Sequence, residues 1–164
     1  MQIATFTWAL TWLAGALLVV AGLPKLAGLA EVPLLPTALA RPVGLLEVTV
    51  GITAIVWPTT PAALAVGVTY LLLSGALLVA IVRREPDCGC FGVEPVEPEW
   101  GHLFVDLALA AAAFAAALGR LTEPGPTEHV VSALLAVLAA VMVAELLSTG
   151  SEIRRMRASR ESGS

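Results

Sequence analysis

Two cysteines, Cys88 and Cys90, stand one residue apart in Asp87-Cys88-Gly89-Cys90-Phe91-Gly92, and the chain has no others. Two thiols at this spacing have three fates: to exchange with a disulfide, to hold a soft metal ion, or to stay inert. Cα atoms two residues apart are separated by at most about 7 Å, and a disulfide needs ~4.4–6.8 Å. A Cys-x-Cys disulfide must therefore turn, and Gly89 supplies the backbone freedom. Such a small ring is strained, and strained disulfides are the labile, catalytic ones. Arg83 and Arg84 favour the thiolate while Asp87 opposes it. Gly92 loosens the other side, and Phe91 can dip into a membrane interface. Two sulfurs are half of a tetrahedral zinc site, although two suffice for a two-coordinate soft ion. Inert cysteines are usually buried, and these sit in a polar stretch.

A second set of residues carries charge inside apolar runs, where charge is expensive and faces a bundle interior or a cavity. Lys25, Glu47, Asp106 and Glu145 belong to it. Lys25 ends the first apolar run. Glu47 is about one and a half turns into the second, roughly 8 Å deep at ~1.5 Å per residue, so a lysine stem reaches it. His102 and Asp106 are four apart and share a helix face. Each has a plainer reading as well. Lys25 alone is a snorkelling residue, Glu145 is a carboxylate near a helix end, and His102, close to Trp100, is an interfacial histidine. Glu47 and Asp106 are the hardest to explain by packing. Gly15, Gly22, Gly67, Gly75 and the alanines of the fourth run suit close helix packing in lipid.

The elements that must position these groups are membrane helices. Of the 164 residues, 58% are hydrophobic and only 13% charged, with mean hydropathy +0.89. A soluble domain is about a quarter charged. No basic patch suits nucleic acid, and two cysteines make no disulfide framework. The first residues lack the basic start and small-residue cleavage site of a signal peptide, so the first run reads as a retained helix. A span needs about 20 apolar residues. Spans are expected at 3–23, 42–57, 62–82, 101–118 and 130–147, with Pro42 in a first helical turn. A Pro-broken interfacial connection is expected at 26–41, a tight turn at 58–61, a non-helical polar loop at 85–99, and a short turn at 119–129. The fold is thus an all-α integral membrane bundle of about five transmembrane helices, or four if one run does not cross. Residues 1–150 form the membrane domain and 151–164 a basic, disordered tail.

Five spans place Lys25, Arg41, Arg83, Arg84, Arg154, Arg155, Arg157 and Arg160 on one side and only Arg120 on the other. The positive-inside rule makes the rich side cytoplasmic. The expected setting is the cell membrane, with the N-terminus outside, the tail inside and the cysteine loop facing the cytoplasm. Lys25, Glu47, Asp106 and Glu145 then lie toward the same face as the cysteines.

Cys88-Gly89-Cys90-Phe91-Gly92 after a third span, Pro24-Lys25-Leu26 at the end of the first, and Glu47 within Leu45-Leu46-Glu47-Val48-Thr49-Val50-Gly51 resemble the MauE group within the DoxX-like membrane proteins. The resemblance covers roughly residues 5–145. It implies a redox-associated membrane protein that helps mature disulfide-rich extracytoplasmic proteins, in methylamine utilisation a dehydrogenase subunit, beside a thioredoxin-like partner. The expectation is a membrane thiol–disulfide oxidoreductase in which Cys88 and Cys90 exchange and Lys25, Glu47, Asp106 and His102 shape a polar pocket. No cofactor is expected, and an oligomer is compatible with the sequence. The alternative is a soft-metal transporter or binding protein using the same two sulfurs. One tension stands: disulfide maturation occurs outside the cytoplasm, whereas the charge count places the thiols inside.

Overall fold

The computed structural model describes residues 2–29, 36–85 and 98–119, together with positions 134, 136, 138–140 and 142. Four helices run through it: α1 (Gln2–Ala27), α2 (Thr37–Val56), α3 (Thr60–Arg83) and α4 (Trp100–Leu118). Each is long and apolar enough to cross a bilayer, with candidate spans of 20, 19, 24 and 19 residues against the ~20 that a hydrocarbon core requires. The described positions between 134 and 142 are also helical, and no strand occurs among the described residues. The chain is an all-α membrane bundle. All of the expected fifth span except 134, 136, 138–140 and 142, the 119–129 turn beyond Gly119, the tail, and the loop from 86 to 97 lie outside the described residues.

Prolines mark the helix ends less sharply than the sequence suggests. α1 continues through Pro24 to Ala27. It stops at Gly28, whose φ of +73° is left-handed. There Gly28 N–H donates to the Lys25 carbonyl at 3.1 Å and Leu29 N–H to that of Pro24 at 2.9 Å, which is the Schellman pattern. Pro24 forfeits one ladder bond, but its carbonyl serves the cap. α2 begins at Thr37 behind Pro36, not at Pro42, which lies inside the helix. The interfacial connection expected at 26–41 is therefore helical at both ends. The turn after α2 is as tight as expected, with Thr59 N–H donating to the Trp57 carbonyl at 2.8 Å. Pro61 then sits in the first turn of α3, where a missing N–H is harmless. α3 ends on Arg84 in the left-handed region (φ 55°), a conformation that glycine adopts without strain and arginine does not. That strained residue is where the chain leaves for the cysteine segment.

α1 packs most extensively on α2 and α3 on α4, and α1 also lies against α4. The α1–α2 seam is close because glycines meet backbone. A Cβ on Gly22 would stand 2.8 Å from the Gly44 carbonyl oxygen, one on Gly44 would stand 2.7 Å from that of Gly22, and Gly15 faces Gly51 one heptad further along. The main core joins Leu17 and Leu18 of α1, Ala54 of α2, Val66 and Tyr70 of α3, and Leu109 and Ala113 of α4. Outward faces carry Leu45, Ile52, Leu72, Val82 and Phe104, as a lipid-bathed bundle requires. Thr49 and Thr53 face outward too. Their hydroxyls donate to the carbonyls four residues back at 2.7 Å, which satisfies them without leaving the helix.

Candidate functional site

Lys25 and Glu47 meet. The Lys25 ammonium donates to both carboxylate oxygens, at 2.7 Å to Oε1 and 2.8 Å to Oε2. Both residues are buried, at 2% and 1% exposure, so Lys25 does not snorkel. Helix geometry gives the reason. A Cα–Cβ bond tilts toward the helix N-terminus, and α1 ends just past Lys25, so its stem runs back along the helix into the bundle. The glycine seam leaves the room: a Cβ on Gly44 would stand 2.8 Å from that of Lys25, and one on Gly22 would stand 2.9 Å from that of Glu47. Glu47 lies ten residues beyond Thr37, so it is about 15 Å along α2 rather than ~8 Å. Starting the helix at Pro42 underestimates this depth.

Asp106 on α4 is buried at 6% exposure and lies within electrostatic reach of the Lys25 ammonium. His102, one turn toward the loop end, is buried as well, while Trp100 is exposed. The histidine therefore belongs to the bundle interior, not to the interface with its tryptophan neighbour. Gly67 packs on the Phe114 ring and Leu77 on Leu103. These two contacts set an antiparallel register that brings Ser74 of α3 level with Asp106. Ser74 is buried, and its Oγ has no hydrogen-bond partner among the described residues. Lys25, Glu47, Ser74 and Asp106 thus form one polar layer, with one side chain from each helix. A turn further from the loop end, the Tyr70 hydroxyl donates to the Ala14 carbonyl at 3.0 Å and ties α3 to α1. The hydroxyl lies near the carboxyl groups of Asp106 and Glu47.

Sequence reasoning does not single out Ser74, Tyr70, Gly44 or Gly51. The available signal was Tyr70 and Ser74, hydroxyls four apart in a run, 62–82, whose one other polar side chain is Thr69. Among the described residues, no group of three or more His, Cys, Asp or Glu side chains is disposed to hold a metal ion. Cys88, Cys90 and Glu145 lie outside the described residues. The ends of the cysteine segment are described: Glu85 follows α3, and Pro98 precedes α4. Both belong to the end of the bundle that carries Lys25 and His102.

A multi-pass helical membrane protein with a buried ion pair and a charged layer between its spans is the class that fold and site define. The family model described as "Methylamine utilisation protein MauE" matches residues 3–121. The chain belongs to the MauE family, and the match includes the cysteine motif and every member of the polar layer. No curated protein and no solved structure matches significantly.

Proposed function

We propose that this MauE-family membrane protein exchanges thiols and disulfides through Cys88 and Cys90, and so supports the redox state of extracytoplasmic proteins. The observation that carries the reading is the Cys88-Gly89-Cys90 pair, the only cysteines of the chain, in the α3–α4 connection of a protein of this family. One thiolate attacks a partner disulfide and expels a partner thiolate, giving a mixed disulfide. The second cysteine attacks the first sulfur and releases the other partner sulfur. The pair ends as a disulfide and the partner as a dithiol, and the reverse sequence reduces the pair. With no second cysteine pair in the chain, a thioredoxin-like protein carries the electrons onward. Lys25, Glu47, Asp106 and His102 form the polar support beneath the loop. The protein works in the cell membrane with its loop toward the cytoplasm, and draws on a cytosolic thiol donor.

Replacing only the resolving cysteine traps the mixed disulfide. Cys88 is nearer Arg83 and Arg84 and is the expected attacker. Cys90→Ser protein should run as a reducible, higher-mass species on a non-reducing gel, and Cys88→Ser should not. If neither variant forms an adduct, the wild type co-purifies with a stoichiometric soft metal, and each variant loses it, exchange is wrong and the two sulfurs hold metal instead.

A further inference from the structure

We infer that α4 carries a proton path from the loop-side membrane surface to the buried polar layer, and that the layer holds one exchangeable proton. The first observation is a charge count. Among the described residues, the layer sets one fixed cation, Lys25, against two carboxyls, Glu47 and Asp106, all nearly inaccessible to solvent. An uncompensated charge buried in a membrane bundle is strongly disfavoured. Lys25 is committed to both oxygens of Glu47, so Asp106 needs a proton of its own, taken up from the aqueous side and passed on by its helix neighbour, His102.

The second observation is the spacing on α4. Glu99, His102 and Asp106 follow one another at three and four residues, on a single helix face. Glu99 is half-buried at the N-cap, whereas His102 and Asp106 are buried. The ladder therefore descends from the surface into the bundle, about 10 Å over seven residues. An imidazole accepts a proton on one ring nitrogen and donates from the other, which suits the middle rung. The third observation is Ser74, 95% buried and level with Asp106 across the α3–α4 contact, its Oγ without a hydrogen-bond partner among the described residues. A hydroxyl both donates and accepts, so it can steady a water that carries a proton to Asp106. The other groups facing the layer are Lys25 from α1, Glu47 from α2, and Tyr70 from α3. The Tyr70 proton is engaged by the Ala14 carbonyl, which leaves Asp106 and His102 as the exchanging pair. The inference does not depend on thiol exchange.

Infrared spectroscopy on the full chain in liposomes tests it. The wild type should show the carbonyl stretch of a protonated carboxylic acid, shifted to lower frequency when water is replaced by heavy water. Asp106→Asn should abolish that band, Asp106→Glu should move it, and the Cys88→Ser/Cys90→Ser protein should keep it unchanged. In His102→Gln and Glu99→Gln the band should persist but exchange its proton for deuterium several-fold more slowly. Helical circular dichroism selects folded variants, with His102→Asn as the substitute should His102→Gln fail to fold. Absence of the band in wild type, or its survival in Asp106→Asn, would overturn the exchangeable proton. Unchanged exchange rates in both ladder variants would overturn the path.

Discussion

Removing one charge of the Lys25–Glu47 pair is worse than removing both. The pair is bidentate and almost wholly buried, so Glu47→Ala leaves an ammonium with no carboxylate in direct contact. Breaking a buried pair in this way costs ~3–5 kcal/mol, whereas an apolar replacement of similar volume is often neutral. Glu47→Ala should lower the unfolding midpoint of detergent-solubilised protein sharply, and Lys25→Met with Glu47→Leu should restore most of it. A double-mutant cycle reads the coupling directly, and single effects that simply add would show that the pair contributes nothing beyond its separate residues.

At the scale of elements, the seam between α1 and α2 decides whether that pair can form. Gly22 and Gly44 hold the backbones so close that a Cβ on either would meet the other's carbonyl oxygen below 3.0 Å. Backbone cannot swing aside as a side chain does, so Gly44→Ala should push the helices apart and cost about 1–3 kcal/mol, the usual penalty of overpacking. Gly75→Ala on α3 is the control, because nothing lies within 4 Å of its added Cβ. Thermal unfolding of the two variants should differ clearly, and equal midpoints would mean that the seam tolerates a methyl group. These elements also mark how far the sequence can be read. The four described spans are legible because nothing but a membrane helix explains some 20 apolar residues in a row. Their ends are less legible at Pro24 and Pro42, since a proline inside a helix and one at its edge look alike until the cap is seen. Lys25, Glu47 and Asp106 are conspicuous as charges among apolar neighbours. Ser74 and Gly44 are not, because a hydroxyl or a missing side chain acquires meaning only from the neighbouring helix it faces.

For the whole molecule, connectivity fixes which ends share a side. The end of α1, the start of α2, the end of α3 and the start of α4 all lie at one face of the bundle, and the Trp57–Thr59 turn lies at the other. Lys25 drops out of the surface charge of the first face because Glu47 neutralises it inside the bundle. Arg41, Arg83 and Arg84 remain, all exposed, and the opposite turn has no basic residue. Three exposed arginines on this face, against Arg120 beyond the other end of α4, are the basis on which we propose that the first face is cytoplasmic under the positive-inside rule. The cysteine segment leaves from Glu85 and returns at Pro98 on that face. A membrane-impermeant maleimide added to intact cells should therefore leave Cys88 and Cys90 unmodified, and should label them once the membrane is opened. Ready labelling from outside would reverse the orientation of every helix at once. The pair would then work beside its extracytoplasmic substrates, and the cytosolic donor would no longer be needed.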